Sequence, residues 1–222
     1  MKTDIPLPGL ERLLSADRKY GLQGRLRSPV SHLPGSGEPF LGRPFDPMLA
    51  AFYRRLGGLS FYLNLFIEPG NEHGILVENE SVLPQWPEPF RSLLIFGSEE
   101  ALAYRYATVP SLADEQGFQP VVMVDPYEDI HAVPIASNVD RFFEAYARYL
   151  ELIQETPEFR DDHDARPPFP RGVPELIAAD RTLVGMLVAG RFDFLMFQPA
   201  VQNRETHEEL RQWIAELRAV SM

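Results

Sequence analysis

The stretch that decides the fold runs from Pro120 to Ile153 and reads PVVMVDPYEDIHAVPIASNVDRFFEAYARYLELI. It begins with a short apolar run rich in β-branched residues that ends at Asp125-Pro126, and residues 130–134 return with alternating polarity. This pattern predicts two antiparallel strands joined by a tight acidic turn. The rest of the stretch predicts an amphipathic helix, because apolar residues recur at helical spacing. They are Phe142, Tyr146, Tyr149, Leu150 and Ile153. We therefore expect a hairpin capped by a helix, serving as scaffold without a catalytic grouping.

The start of this helix also carries local signals. Ser137 occupies the position of an N-cap, and Asp140 follows three residues later as a partial capping box. We expect Asp140, Glu144 and Arg148 to face water. Glu144 and Arg148 have the i,i+4 spacing and orientation of a stabilising ion pair, worth about 0.2–0.5 kcal/mol.

Length and composition set limits on the class of protein. The chain has 222 residues, of which 45% are hydrophobic, enough for one well-buried core. It contains no cysteine, so a disulfide framework, a thiolate metal site and a cysteine nucleophile are excluded. The first ten residues lack the apolar segment of a secretory signal, and no apolar run has the length of a membrane span. These features predict a cytoplasmic protein without membrane association.

The net charge of −11 narrows the choice of partners. An acidic surface repels phosphate, which disfavours nucleic-acid binding, whereas it accelerates encounter with a basic protein. The alternative explanation is that the acidic residues serve solubility alone.

The segments before the hairpin predict further elements. A helical pattern lies within residues 1–20, and residues 21–47 are rich in Gly, Pro and Ser, as expected for a long loop. Asp46 and Pro47 have the types preferred at the N-cap and first position of a helix, which we expect to end at Gly57-Gly58. Strands are predicted at Leu59–Ile67, Gly74–Glu78, 93–97 and Ala101–Val109, the last with one wet face. We expect Trp86 to plug the core.

The chain changes character after Ile153. Residues 155–171 are polar and proline-rich and include Asp161-Asp162-His163-Asp164. A helix is predicted at 174–187, residues 192–197 remain open between a strand and a helical turn, and Thr206 with Glu209 predicts a capping box before the last helix.

This order of elements predicts an α+β fold, with an antiparallel-rich mixed sheet, helices packed on one side and a helical C-terminal extension. We expect an N-terminal helix and loop (1–43), a core (44–154) and the extension (155–222) to form one compact unit.

Residue patterns for chemistry are weak. No histidine pair has zinc-site spacing, the glycines of residues 35–37 lack a phosphate-binding motif, and no GxSxG occurs. His131 beside Glu128 and Asp129 could form an acid–base group, although a half-exposed strand histidine is the simpler interpretation. The run at Asp161–Asp164 could hold a hard cation, but it lacks the glycine and distal glutamate of an EF-hand loop. We predict no cofactor and no metal.

Two groups of residues resemble the SUKH superfamily, which contains the Smi/Knr cell-wall-regulator-like proteins. The first group comprises Pro44–Pro47, Leu49, Phe52-Tyr53 and Leu56-Gly57-Gly58. The second comprises Phe96-Gly97, Ala101–Tyr106, Pro120–Asp125 and Pro134–Phe143. The chain departs from the family pattern at Leu56, where Asn is usual, and at Ser137-Asn138-Val139, where Ser-Phe is usual.

The resemblance implies an α+β fold without an active site and a function as an immunity protein that binds and neutralises a cognate toxin or secreted effector. The residues expected to contact this partner are exposed polar and aromatic ones: Glu72, His73, Tyr127, Glu128, Asp129, Asp161, Asp162 and Asp164. Two alternatives remain open. The protein could be a regulatory or scaffold module that binds a non-toxin partner, or a small hydrolase or ligand-binding protein that uses His131 or the acidic loop.

Overall fold

A seven-stranded antiparallel sheet forms the centre of the protein, and the predicted hairpin supplies two of its strands. The computed structural model describes residues 5–29, 33–61, 65–70, 74–99, 103–127, 130–197 and 204–221. The strands are β1 (Arg25–Leu26), β2 (Pro39–Phe40), β3 (Arg43–Pro44), β4 (Leu59–Ser60), β5 (Leu65–Ile67), β6 (Leu94–Glu99), β7 (Arg105–Thr108), β8 (Val121–Asp125) and β9 (His131–Ala136). The sheet order is β1-β4-β5-β6-β7-β8-β9, and β2 and β3 pair separately.

The helices pack against this sheet, and together they form an α+β fold, as predicted. They are α1 (Pro8–Tyr20), α2 (Pro47–Arg55), α3 (Ile75–Val82), α4 (Val139–Glu155), α5 (Pro157–Asp161), α6 (Pro174–Ala178), α7 (Arg181–Val188), α8 (Asp193–Met196) and α9 (Arg204–Ser221). Within the described ranges, no helix combines the length and apolar character needed to cross a membrane.

Helix α4 packs on the sheet through its aromatic stripe, which confirms the predicted amphipathic helix. The Phe142 ring lies 5.6 Å from that of Phe96 on β6 and 5.0 Å from that of Tyr106 on β7. Phe143 lies 5.3 Å from Phe52 of α2, so α4 also joins that helix to the core. These rings are fully buried, and such aromatic pairs contribute about 0.5–1.5 kcal/mol each beyond the burial of their area.

The predicted cap of α4 is wrong by one residue. Asn138 is the N-cap, and its side-chain oxygen accepts from the Arg141 N–H at 2.9 Å. The Ser137 N–H instead donates to Asp180 at 2.7 Å. Asp140, expected to face water, is buried because its carboxylate accepts from the N–H groups of Gly9 and Leu10 at the start of α1. That partner lies 131 residues away and could not be read from local sequence.

Two local predictions in the same region are confirmed. Arg148 donates to Glu144 at 2.8 Å, the expected i,i+4 pair. Asp46 caps α2 by accepting from the N–H groups of Met48 and Leu49 at 2.7 and 2.9 Å, and Pro47 is the first helical residue. Trp86 is buried, as expected for a core plug.

Several predicted strands differ in the structure. Of the strand predicted at Leu59–Ile67, residues 62–64 lie outside the described residues, and the remainder contributes two strands, β4 and β5, which pair with Leu59 opposite Ile67. Gly74–Glu78, predicted as a strand, belongs largely to α3, where Asn79 fixes the helix by hydrogen bonds to Ile95 on β6. The predicted loop at 21–47 contains β1, β2 and β3. Apolar composition alone could not separate these cases, because short apolar runs suit either conformation.

The strand predicted at Ala101–Val109 begins with two residues, 101 and 102, that lie outside the described residues, and the part that forms β7 lacks the expected wet face. Within β7, Tyr106, Ala107 and Thr108 are all buried, and every residue of β9 is buried. Alternating side chains point to opposite faces of a sheet, so both faces are covered at these strands.

The C-terminal extension contains more breaks than predicted. The helix expected at 174–187 is divided into α6 and α7, and Asp180 caps α7 by accepting from Leu183 N–H at 3.1 Å. Residues 193–196 form α8, a helical turn. Helix α9 begins at Arg204, so Thr206 lies inside its first turn and not at its cap. The apolar stripe predicted for this helix is buried. It comprises Leu210, Trp213, Ile214 and Leu217.

Contacts cross the predicted division at residues 43 and 155. Strand β1 belongs to the sheet, α1 packs along α4, and Asp180 accepts from Ser137. The division into three segments stays a prediction.

Candidate protein-binding surface

Tyr127 occupies the turn between β8 and β9, and its side chain is 49% exposed. The Tyr127 N–H donates to the Asp125 carboxylate at 2.9 Å, an Asx-type contact that follows from the Asp-Pro turn. The Tyr127 hydroxyl accepts from the Ala103 N–H at 3.1 Å. The ring is therefore fixed at both ends while one side remains open to solvent.

A second tyrosine supports this ring. Tyr104, just before β7, lies 5.9 Å from Tyr127 with the ring planes at 82°, an edge-to-face contact. Burial raises the pKa of the Tyr104 phenol, and the carboxylates of Asp125 and Glu99 raise it further, so the phenol stays protonated. We call Tyr104, Asp125 and Tyr127 the tyrosine tip. It joins two turns of the sheet into one surface.

His131 begins β9 next to this surface, but it is only 5% exposed, so the expected half-exposed histidine is wrong. Arg171 lies with Nη2 2.8 Å from His131 Nε2 and donates through Nη1 to Glu209 of α9 at 3.0 Å. A guanidinium can only donate, so Nε2 must be the unprotonated nitrogen of the ring. The contact gives His131 a structural role, because it links β9 to α9 through Arg171.

The acidic loop, residues 161–164 at the end of α5, is exposed, and its groups form separate local contacts. Arg160 donates to Asp161 at 2.9 Å, and this hydrogen bond lowers the pKa of Asp161. Asp162 accepts from the Asp164 N–H at 2.9 Å, and Arg166 donates towards His163 Nδ1 at 2.8 Å. These four acidic and imidazole groups do not converge on one point.

The predicted contact residues are therefore divided. The tyrosine tip contains Tyr127, whereas Asp161 is the last residue of α5, and Asp162 and Asp164 lie on the loop after it. Glu72, His73, Glu128 and Asp129 lie outside the described residues. Among the residues that are described, no three acidic, histidine or cysteine side chains are grouped as a metal site requires.

The structure also contains a partly buried acidic group that the sequence did not indicate. Burial and the nearby charge of Glu78 raise the pKa of Glu68 to about 7, although Arg105, Ser98 and Arg27 act in the opposite direction. Glu78 itself pairs with Arg105 of β7. Glu68, Glu78 and Arg105 come together because α3 packs on β6 and contacts β7 through the Glu78–Arg105 pair. No local sequence motif predicts this placement.

A cavity of about 250 Å³ lies near the start of the sheet, where Phe61 follows β4. Arg166 lines it, but its N–H groups donate to Phe159 and Arg160 carbonyl oxygens and to His163. The remaining lining is Tyr20, Gly21, Leu22, Gln23, Leu150 and Gln154.

No protein-family model, no curated protein and no solved structure matches this chain. The fold and the tyrosine tip define an α+β protein with an exposed, immobilised aromatic side chain next to acidic turns.

Proposed function

We propose that this protein is a non-enzymatic immunity protein, which binds a cognate toxin or secreted effector and neutralises it by direct contact. The observation that carries this proposal is Tyr127, a large aromatic side chain that is half exposed and held by three contacts. Rigid exposed tyrosines are typical anchors of protein interfaces, because they bury a large area with little loss of conformational entropy.

The charge of the surrounding chain supports a basic partner. Residues 62–222 contain 27 acidic and 12 basic residues, a net charge of −15. Among the described residues, neither Asp162 nor Asp164 has an ion pair, so both contribute their charge to the surface field. Such a field steers a basic protein towards its docking site, whereas a few buried anchors supply most of the affinity.

The choice of a toxin as partner rests on the resemblance to the SUKH superfamily, in which many bacterial members look like immunity proteins. Co-expression with the product of the neighbouring gene tests it directly. We expect the two proteins to co-purify and cells that express the toxin to survive. A neighbouring product that neither binds this protein nor harms cells would contradict the proposal.

The role of Tyr127 is tested by the affinity of the purified complex. Tyr127→Ala should weaken binding by about 2 kcal/mol or more, about thirtyfold, because it removes the anchor. Tyr127→Phe should retain most of the affinity, since the ring remains. Val188→Ala is a matched control, because Val188 is a 56% exposed apolar residue on α7. Val188→Ala should bind like the wild type, and wild-type affinity in Tyr127→Ala as well would exclude the tyrosine tip from the interface.

The acidic charge is tested by association rates. Neutralising Glu128, Asp129, Asp161 and Asp162 together should slow association at low salt and leave the fold intact, because steering depends on long-range charge. Equal association rates for the wild type and this variant would remove the electrostatic part of the proposal.

A further inference from the structure

The segment of the chain that contains the edge strand β1 differs in charge from the rest of the chain. Residues 1–61 contain nine basic and five acidic residues, a net charge of +4, although the whole chain carries −11. Strand β1 lies in this segment and is the first strand in the sheet order, paired with β4 alone among the described strands. Its residues Arg25 and Leu26 are both exposed, and Leu26 is 47% exposed.

The pairing of β1 directs part of its backbone outwards. The Arg27 N–H donates to Gly58 O at 3.0 Å, and its carbonyl accepts from Gly57 N–H at 2.9 Å, so both polar groups of Arg27 face the sheet. Leu26 lies opposite Leu59, at the next position of the ladder. In an antiparallel ladder, successive residues alternate between inward and outward hydrogen bonding. The N–H and C=O of Leu26 therefore point away from the sheet.

The neighbouring outward position is already occupied. The Gly24 N–H donates to the Asp17 carboxylate of α1 at 2.9 Å. This contact ends the open edge on one side, so the open edge is a short segment centred on Leu26.

Exposed arginines lie on both sides of Leu26 in the strand and near the ends of α1 and α2. Arg25 and Arg27 share one face of the strand, because they are two residues apart. Arg18 near the end of α1 and Arg54 near the end of α2 are also exposed, and no ion pair joins any of these four arginines to another described residue. By contrast, Lys19 pairs with Glu155 and Arg55 with Glu11.

We propose that strand β1 is a docking site for an extended acidic segment of a partner protein, which adds to the sheet as a further antiparallel strand. Residues directly opposite each other on paired strands share a face. A matching segment therefore places acidic residues opposite Arg25 and Arg27 and an apolar residue opposite Leu26. A second copy of β1 fits less well, because its arginines would meet those of the first copy.

The probe is an eight-residue peptide of alternating Glu and Val, with blocked ends, added to the full-length protein and followed by amide chemical shifts. We expect saturable shifts centred on the Leu26 amide, and we expect the same peptide with Lys in place of Glu to bind at least tenfold more weakly. No saturable shift at Leu26, or equal binding of the two peptides, would overturn the proposal.

Backbone pairing is separated from simple charge attraction by N-methylated peptides. The Val residues lie opposite Leu26, so their N–H groups face β1, and methylating the Val amides should abolish binding. Methylating the Glu amides should leave binding intact, since those N–H groups face away. Equal effects of the two modifications would show that the peptide is held only by charge.

Charge reversal provides the matching test in the protein. Arg25→Glu combined with Arg27→Glu should weaken the affinity for the Glu peptide at least tenfold and strengthen the affinity for the Lys peptide. Arg181→Glu combined with Arg191→Glu makes the same change in net charge at exposed sites in and after α7, beside the opposite edge of the sheet, and should keep the wild-type preference. A tenfold loss of affinity for the Glu peptide in both double variants would overturn the proposal. The proposal would also be overturned if an oligothymidylate displaced the Glu peptide at a lower concentration than unlabelled Glu peptide does, because this result would indicate a nucleic-acid site instead.

Discussion

Buried and exposed aspartates of this acidic protein have opposite roles. Asp46, Asp140 and Asp180 are buried, and each accepts from backbone N–H groups of segments distant in sequence. The aspartates of the acidic loop at residues 161–164 are exposed, and their contacts are to residues one or two positions away. The net charge of the chain therefore does not show which acidic residues contribute to its surface field. The buried ones join segments of the fold, whereas the exposed ones determine the field that a partner meets.

The largest effect is expected at Asp46, which accepts from Met48, Leu49 and Gln119 N–H groups. Asp46→Ala should lower the free energy of unfolding by at least about 3 kcal/mol, since each buried donor left unpaired costs about 1 kcal/mol or more. Urea denaturation at pH 7 measures this change. A loss as small as that of an exposed aspartate would contradict the distinction between the two groups.

Asp140 should follow, because it accepts from two N–H groups at the start of α1. We expect Asp140→Ala to lower the free energy of unfolding by about 2 kcal/mol. Hydrogen exchange should show the loss concentrated in α1. Asp140→Asn is the control, because its amide oxygen can still accept from one of these groups. If protection of α1 is unchanged in the alanine variant, Asp140 does not hold this helix.

A pH dependence is expected from Glu68, whose pKa is raised to about 7 from its ordinary value of 4.5, chiefly by burial. Because the folded state holds the proton more tightly, the free energy of unfolding should fall as the pH rises from about 4.5 through about 7. Glu68→Gln should reduce this fall.

The matched variant for this measurement is Glu80→Gln on the exposed side of α3. It should leave the slope of stability against pH as it is in the wild type. If Glu68→Gln also has the wild-type slope, Glu68 is not the source of the fall in stability with pH.

The smallest effect is expected at Asp161, whose only ion-pair partner among the described residues is the adjacent Arg160, with both side chains at least half exposed. Asp161→Asn should change the free energy of unfolding by less than about 0.5 kcal/mol, as is usual for exposed ion pairs. Thermal unfolding in parallel with Asp46→Ala tests the comparison under one set of conditions. A loss above 1 kcal/mol, on the order of a buried hydrogen bond, would contradict it.

Sequence patterns identified the hairpin β8–β9, the helices α1, α2 and α4, and the apolar stripe of α9, because these depend on periodicity and caps within one segment. They failed at Gly74–Glu78, where contact with β6 selects a helix for a short apolar run. They also failed to predict that both faces of β7 are buried and that the helix breaks at Asp180, since both features depend on contacts with segments distant in sequence.

The same distinction applies to the candidate surface. The Asp125-Pro126 turn was sufficient to place Tyr127 at an exposed position. Its support by Tyr104 and Ala103 could not be predicted, because the Ala103–Tyr127 hydrogen bond joins residues 24 positions apart. The position of His131 was wrong for a similar reason, since its burial depends on Arg171 and α9.

The sequence by itself determined the fold class, the main hairpin and helix, and the acidic character of the protein, because local propensity, periodicity and composition are properties of neighbouring residues. The tertiary structure alone decided which aspartates are buried, how Tyr127 is held and which strand forms the edge of the sheet. Those features depend on contacts between segments up to 131 residues apart, which local sequence patterns cannot predict.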